Sequence, residues 1–356
     1  MRKSELCIAA ILLLNIALPA GASGFKSFQA VHLENAEINA KSISDLQDKN
    51  RKKLAKVLGI SELLSAPRCD LQPRTLWKRD YPFGSIEKVQ LQMEPGVRGL
   101  IYVCLPKNAK PPYKAFICLQ GHSTGMHTSI GIKWQDEKTV MPYEDRFIAR
   151  RCLQNGITAV CMEQRYMGEF STRKDRKPTC GLGNFNAIMR GRSAIGERVF
   201  DVDRVIDYLS TRKDFDISQI GIMGNSGGGT SSMFSGAMLK RITHVLPSCA
   251  VSDFKGSIGS FNHCSCNCIP NLYNYGNSGD VLSLIAPRPL VVLNGLKDRE
   301  FPVQGAEKQM ARVKEVYKKM EAEKNVYHVL TPAGHKFFAD PVWKHMLPLW
   351  QNYKTK

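Results

Sequence analysis

The sequence of 356 residues has no low-complexity segment and no internal repeat, and only 8% of its residues are aromatic. Apolar residues make up 43% and charged residues 23%, which is an ordinary composition for a globular protein. These features exclude a repeat protein and a disordered one. The length suits one large domain or two ordinary ones.

Sequence signatures of nucleic-acid binding are also absent, although the formal net charge is +18. The basic runs at 49–53 and 173–177 are short and are interrupted by acidic or polar residues. No helix-turn-helix, zinc-finger or RNA-binding pattern accompanies them. We therefore expect a solvated basic surface that helps the protein approach acidic polymers or an anionic envelope, and no nucleic-acid partner.

Charged residues are missing between Glu5 and Lys26. Two basic residues precede an apolar run over 6–18, and the small residues at 20–22 resemble a cleavage site. The pattern predicts a signal peptide over 1–22 and a secreted or periplasmic protein. A retained membrane anchor is the alternative, but proline and glycine make the end of this window a poor spanning helix. We expect no stable membrane insertion after cleavage.

Ten cysteines follow the predicted signal peptide, at positions 69, 104, 118, 152, 161, 180, 249, 264, 266 and 268. An even number in an exported protein suggests disulfides, although Cys118 and Cys161 lie in apolar runs that suit buried thiols. The stretch HCSCNC at 263–268 could indicate a metal site, but it has no second cysteine pair at the usual spacing. The sequence thus predicts no metal and no cofactor, and a disulfide from Cys264, Cys266 or Cys268 to a cysteine elsewhere.

Short apolar runs alternate with amphipathic helical stretches over about 240 residues that start near residue 76. Continuous apolar runs are typical of strands buried on both faces, so we predict a mostly parallel sheet with helices on both sides. Residues 23–75 are predicted to form a helical extension. The stretches 166–194 and 254–280 fit neither period and are predicted to be loop excursions above the sheet. The first excursion is rich in charged residues, glycine and polar residues, so we predict that it is polar.

GNSGGGT at 224–230 follows an apolar run and matches the pattern G-x-S-x-G around Ser226. A serine hydroxyl needs a histidine to accept its proton and a carboxylate to orient that histidine. Asp298 follows a strongly apolar strand, and His335 follows the next one in PAGH. The sequence therefore predicts Ser226 as nucleophile, His335 as base and Asp298 as the orienting acid.

Other acids and histidines are weaker candidates for these roles. Glu300 is the second choice for the acid, and Asp253 also ends a strand. His328 lies within a strand, where a packed histidine is expected, and His345 belongs to a C-terminal helix.

The backbone N–H groups of Gly227 and His122 are the predicted oxyanion donors. Gly227 directly follows the nucleophile, which is the usual position of one donor. The second donor is expected in the loop after an earlier strand, and CLQGHSTGM at 118–126 fits that description.

These stretches resemble the α/β-hydrolase superfamily, and within it the dienelactone hydrolase and acetyl xylan esterase-like group. The matching residues are LQGHS, MEQRYMGEF, GERVFDVDRVIDYLSTRKDFD, IGIMGNSGGGT, APRPLVVLNGLKDREFP and PAGHKFF, spread over 98–346. The resemblance implies an α/β-hydrolase catalytic domain over 76–356 with the triad of Ser226, Asp298 and His335. Gln120-Gly121 replaces the common His-Gly pair, which affects the oxyanion assignment.

The function expected from this resemblance is an exported serine carboxylic ester hydrolase, acting on a small-acyl carbohydrate ester such as acetylated xylan. A serine peptidase of the prolyl-oligopeptidase kind is one alternative, although 23–97 is too short for a propeller domain. A binding protein without turnover is another. In the second excursion, Phe261, Tyr273 and Tyr275 are expected to pack or to stack on sugar rings. The oligomeric state stays open.

Overall fold

The computed structural model describes residues 40–260 and 263–354, so the predicted signal peptide and Phe261 lie outside the described residues. The strands are β1 Arg74–Tyr81, β2 Gly84–Glu94, β3 Val97–Pro106, β4 Tyr113–Leu119, β5 Thr158–Met162, β6 Phe215–Asn225, β7 His244–Ser248, β8 Leu290–Gly295 and β9 Val326–Thr331. The helices are α1 Ala40–Leu58, α2 Ser61–Ser65, α3 His127–Ile130, α4 Ile148–Gln154, α5 Cys180–Met189, α6 Ala194–Thr211, α7 Gly227–Met238, α8 Leu272–Tyr275, α9 Ser278–Ser283, α10 Val303–Lys319 and α11 Ala339–Gln351.

The strands form one sheet in the order β1-β2-β3-β5-β4-β6-β7-β8-β9. The pairs from β5-β4 through β8-β9 are parallel, whereas β1, β2, β3 and β5 pair antiparallel. Every residue of β5, β7 and β8 is buried, which explains their mostly apolar sequences. The predicted fold class, a mostly parallel sheet between helices, is confirmed.

Helices cover both faces of this sheet. One apolar cluster joins the sheet to α1, α6, α7, α9 and α10, and includes Leu54, Val199, Phe234 and Met310. The other cluster joins the opposite face to α4 and α11 through residues such as Ile148 and Trp343. In α6 the buried valines recur at helical spacing, which explains why this stretch is a helix against the sheet.

The N-terminal helices pack on this same body. Gln47 in α1 donates hydrogen bonds to the carbonyls of Ser283 and Ala286, at 2.8 and 2.9 Å. Arg51 donates from Nε to the carbonyl of Ala237 at 2.9 Å. Because these partners lie on α7 and around α9, the extension is fastened across the helical layer.

The two excursions lie beyond the carboxyl ends of the strands and contain short helices. A 3₁₀ turn at Gly168–Phe170 and α5 occupy the first, and a 3₁₀ turn at Ser265–Asn267 and α8 occupy the second. The prediction of a polar first excursion is wrong for α5, because Phe185 and Met189 are 62% and 73% exposed. Their helical spacing directs these apolar side chains to solvent. Among the described residues, no helix is both long enough and apolar enough to cross a membrane.

Candidate active site

Ser226 lies on the sharp turn that links β6 to α7. Its φ of 55° and ψ of −123° are strained for a residue with a side chain. A Cβ at Gly224 would lie 2.4 Å from the carbonyl carbon of Gly228, and one at Gly228 would lie 2.1 Å from the Leu119 oxygen. The turn therefore requires glycine on both sides of the serine. The Ser226 N–H donates to the Ser248 carbonyl at 2.9 Å, which ties the turn to β7.

His335 and Asp298 form a hydrogen-bonded pair. The two residues follow β9 and β8, and His335 Nδ1 lies 2.9 Å from Asp298 Oδ2. The other carboxylate oxygen accepts the backbone N–H groups of Glu300 and Phe301 at 2.9 and 3.1 Å. Both oxygens of Asp298 are thus occupied, and this fixes the carboxylate in the orientation that holds the imidazole.

This pairing changes the acidity of both groups. Burial disfavours the Asp298 carboxylate, but the hydrogen bond and charge of His335 and the two backbone amides outweigh it, so the pKa of Asp298 is lowered. Burial also disfavours a charged imidazole. The hydrogen bond and charge of Asp298, with a contribution from Glu300, nevertheless raise the pKa of His335. The pair therefore stabilises an imidazolium, as a general base requires.

His335 and Ser226 both line a cleft of about 1420 Å³. Opposite the nitrogen bonded to Asp298, the imidazole has a second one, Nε2. This Nε2 is buried, and among the described residues it has no hydrogen-bond partner. Glu300 Oε2 is 3.7 Å from it. The acid that orients the ring is bonded to Nδ1, so the geometry favours Asp298 over Glu300 for that role.

Gly227 and His122 flank Ser226. Gly227 is the first residue of α7, where helix N–H groups lack intrahelical partners. A Cβ at Gly227 would be 2.5 Å from His122 Cε1, and one at Gly121 would be a tight 3.1 Å from the Asn225 carbonyl oxygen. The loop after β4 therefore packs directly on the serine turn, and glycine at 121 and 227 allows that approach.

The remaining candidates from the sequence have other partners. Asp253 Oδ2 accepts a hydrogen bond from Asn277 at 2.6 Å, within the second excursion. His328 Nε2 lies 3.1 Å from Asn294 Oδ1, and burial lowers the pKa of His328 to about 4. His345 stacks on Tyr327 at 4.3 Å. These contacts are structural ones.

Tyr273 and Tyr275 occupy different environments in the second excursion. Tyr275 packs against the apolar core, whereas Tyr273 is exposed and does not line the cleft.

Glu163 is a residue of this region that the sequence analysis did not single out. It follows β5 and is fully buried, and burial raises the pKa of Glu163 to about 8. Its Oε1 accepts Gln120 Nε2 at 2.9 Å and the Met126 N–H at 3.1 Å. The sequence signal that could have pointed to Glu163 is its position directly after a buried strand, in MEQRYMGEF. Glu163 supports the loop that carries Gly121 and His122.

Cys249 was likewise missed. Its sulfur lies within 4.8 Å of the Asp298 carboxylate and the His335 ring. Burial raises the pKa of Cys249 to about 12, so the group is a neutral thiol. Because Asp298 and His335 already bond to each other, Cys249 serves as a packed neighbour of the pair.

A second group of ionisable side chains borders the same cleft. His122, Cys180, Cys264 and Cys266 bring one ring nitrogen and three sulfurs within 4.8 Å of one another. The cysteines of the described residues are all thiols, and Cys264 Sγ lies 3.4 Å from Cys266 Sγ. The disulfide predicted from the sequence is therefore not formed in this structure, and the sulfurs meet an imidazole instead.

Comparison with solved structures identifies the architecture. A methylesterase aligns over 91% of this chain and 67% of its own, with a TM-score of 0.69 and 20% identity. A glucuronoyl esterase of Solibacter usitatus aligns over 93% and 98%, with a TM-score of 0.66 and 16% identity. A "putative acetyl xylan esterase" of Bacteroides fragilis aligns over 86% and 78%, with a TM-score of 0.65 and 18% identity. The chain has the α/β-hydrolase fold.

Sequence similarity to curated proteins is more limited. It is 29% identical over 161 residues to "Putative hydrolase YtaP" of Bacillus subtilis. That segment is 44% of this chain and spans about half, 53%, of the relative. No protein-family model matches the sequence.

Proposed function

We propose that the protein is an exported serine hydrolase. It cleaves the ester bonds that join small acyl groups, such as acetyl, to a carbohydrate. The observation that supports this most is the Asp298–His335 pair, bonded at 2.9 Å, on the same cleft as Ser226. The strained turn at Ser226 is a second support, because such strain usually persists only where function requires it.

In the proposed reaction Ser226 Oγ attacks the ester carbonyl carbon while His335 Nε2 takes the hydroxyl proton. Asp298 stabilises the imidazolium that forms. The negative charge on the carbonyl oxygen is stabilised by the N–H groups of Gly227 and His122. The carbon–oxygen bond of the leaving alcohol then breaks, and His335 returns the proton to that alcohol. Water hydrolyses the acyl-serine by the same steps and restores the free hydroxyl.

The cleft lining favours a hydrophilic substrate. Basic side chains line it at Lys133, Arg146, Arg173 and Lys177. Asp136 and Glu300 are the acidic residues among its lining. An excess of positive charge in a cleft attracts anionic groups of a substrate, and this attraction weakens as salt is added. An ester on an acidic or acetylated polysaccharide suits such a cleft.

The test is a panel of chromogenic acetyl, butyryl and feruloyl esters, with acetylated xylan and peptide amides beside them. We expect hydrolysis of acetyl esters, release of acetate from xylan, and no cleavage of amides. The Ser226→Ala variant is the control, because its fold is expected to be intact. Cleavage of the amides with inert esters would indicate a peptidase, and a folded protein inert to the whole panel would indicate a binding protein.

Export is tested separately. We expect protein recovered from the culture medium or periplasm to begin after Ala22, as determined by N-terminal sequencing. Protein that retains Met1 and stays in the membrane fraction would contradict this part of the proposal.

A further inference from the structure

Four side chains from three separate segments converge beside the serine turn. His122 comes from the loop after β4, and Cys180 begins α5. Cys264 directly precedes the 3₁₀ turn of the second excursion, and Cys266 lies within it. His122 Nε2 is 3.1 Å from Cys266 Sγ, and Cys264 Sγ is 3.4 Å from the same sulfur. The four potential ligand atoms all lie within 4.8 Å of one another.

We propose that these four residues bind a zinc ion through three thiolates and the His122 imidazole. Zinc in proteins takes four ligands in a tetrahedron, with Zn–S near 2.3 Å, so the sulfurs of such a site are about 3.7 Å apart. The 3.4 Å between the Cys264 and Cys266 sulfurs is a few tenths of an ångström shorter, and a small outward shift of the ligands admits the ion. Three cysteines and one histidine are a usual set for a structural zinc site.

Arg198 supports this proposal independently of the distances. Its side chain is fully buried, and Nη2 lies 3.0 Å from the Arg165 carbonyl oxygen and 3.5 Å from Cys180 Sγ. Among the described residues, no carboxylate oxygen is within 4.0 Å of its guanidinium nitrogens. A buried cation requires compensating negative charge.

The proposed site supplies that charge. One zinc ion with three thiolates and a neutral imidazole carries a net charge of −1, which Arg198 balances. A disulfide between two of the three cysteines would remove two thiolates and leave no role for the imidazole. The sequence analysis predicted a disulfide here and no metal. The arrangement instead favours a zinc ion.

The cysteines of the sheet core are an internal contrast. Cys118 and Cys152 are also buried, with their sulfurs 3.8 Å apart. Among the described residues, their other polar contacts are the Phe116 carbonyl and the sulfur of Met223, and both cysteines belong to an apolar cluster. Thiols in such surroundings act as small apolar groups. The thiols near His122 differ because they meet an imidazole and a buried guanidinium.

Zinc at this position would join the loop after β4 to both excursions. If the proposed function is correct, it would also hold the loop whose His122 N–H stabilises the oxyanion. The zinc proposal itself rests only on the ligand geometry and on Arg198, so it can be tested without any measurement of hydrolysis.

The experiment measures the metal content of the purified full chain by elemental mass spectrometry. We expect about one zinc ion per chain in the wild type. Cys264→Ser and Cys266→Ser should lower the zinc content severalfold. Cys268→Ser is the matched control, because Cys268 is exposed and lies outside the four-residue group. It should keep its zinc, and so should Ser226→Ala.

A spectroscopic measurement keeps the proposal testable if a cysteine variant fails to fold. Wild-type protein, freed of zinc with a chelator, is titrated with Co²⁺ alone. A tetrahedral cobalt–thiolate site gives intense visible d–d bands and a sulfur-to-cobalt charge-transfer band in the near ultraviolet. We expect both bands to saturate at one equivalent and to disappear when Zn²⁺ is added.

Three results would overturn the proposal. The first is metal-free wild-type protein in which Cys180 is bonded to Cys264 or Cys266, as shown by peptide mass spectrometry after thiol blocking. The second is metal-free protein with all three blocked as thiols and no cobalt spectrum. The third is full zinc content in folded Cys264→Ser and folded Cys266→Ser.

Discussion

Two of the regions around the cleft, which residues 119–148 also line, are built differently. The strand-end wall, which consists of Ser226, Asp298 and His335, follows directly from paired parallel strands. The loop wall, which consists of residues 166–194 and 254–280, has no such strand ladder. The register of β6 on β7, with Asn225 opposite Ser248, positions the serine turn. The sheet therefore fixes the proposed catalytic residues, whereas the loop wall needs side-chain contacts to hold it over them.

Those contacts are specific. Arg165, at the root of the first excursion, bonds Asp201 through Nε and Nη2 at 2.7 Å and Glu94 at 2.7 Å. Asn184 in α5 donates to the carbonyls of Ser265 and Cys268 at 2.7 and 3.1 Å, which joins the two excursions. The comparison teaches that the proposed catalytic residues and the loops over them are stabilised separately, so substitutions should be able to affect one region without the other.

The largest expected effect is on the strand-end wall. Ser226→Ala should lower kcat for the best ester by a factor on the order of 10⁴ or more, because the nucleophile is lost. The unfolding temperature should stay close to that of the wild type, since the removed hydroxyl supports no packing. Steady-state kinetics and calorimetry of the same sample test both parts. Wild-type turnover by the folded variant would refute the mechanism.

Asp298→Asn should lower kcat by a factor on the order of 10⁴, because the amide favours the wrong imidazole tautomer. It also removes the charge that raises the pKa of His335. The remaining activity should therefore reach its plateau at a lower pH than in the wild type. A pH profile of kcat/KM measures this. An active Asp298→Asn enzyme beside an inactive Glu300→Gln enzyme would show that the acid is Glu300.

Asn184→Ala tests the loop wall. Loss of hydrogen bonds to two partly buried carbonyls, and of the buried one from the Ala194 N–H, should cost about 1–3 kcal/mol of unfolding free energy. We expect faster hydrogen exchange in 254–280 but not in the strands, with kcat reduced much less than in Ser226→Ala. Exchange measured by mass spectrometry resolves the two regions. Equal loss of protection in β6 and β8 would show that the walls are not independent.

Glu163→Gln tests the joint between the walls, because Glu163 bonds both Gln120 and the Glu169 N–H. The pKa of Glu163 is about 8 in the folded protein, well above the ordinary value near 4.3. The Glu163 carboxyl thus holds its proton more tightly in the folded than in the unfolded protein. The stability that the protonated carboxyl contributes is present at low pH and is lost between about pH 4 and 8. The glutamine variant should gain stability relative to wild type as the pH rises through that range. Denaturant unfolding at several pH values measures this difference, and a constant difference would contradict it.

Glu300→Gln should have the smallest effect. Glu300 contributes to the raised pKa of His335, so its neutralisation should lower that pKa and extend activity to lower pH. The base must be neutral to accept a proton, hence the rising limb of kcat/KM shifts to lower pH. The plateau should change little, because Asp298 still orients the ring. Movement of the limb to higher pH would show that the charge acts in another way.

Much of the strand-end wall was predictable. The turn that carries a nucleophilic serine needs glycines next to that serine. An acid and a base that directly follow buried parallel strands lie at the same edge of the sheet. Local sequence therefore indicated where Ser226, Asp298 and His335 would lie. Glu163 was missed, since a single glutamate after a strand is usually a turn residue and only its complete burial reveals its role.

The loop wall was predicted less well. The first excursion was expected to be polar, but α5 exposes Phe185 and Met189, because composition does not show which face of a short helix is covered. The disulfide prediction rested on the number of cysteines. In the structure the sulfurs of Cys264 and Cys266 meet His122, which no count of cysteines could indicate.

The sequence by itself determined the fold class and the chain order of the proposed catalytic residues, because strand periodicity, glycine sterics and strand ends are local properties. Only the tertiary structure decided which residues share the cleft with them. His122 and Cys266 are 144 positions apart, and Arg198 comes from a third segment. Contacts at such separations depend on how the excursions fold back over the sheet, and no period or spacing along the chain encodes that.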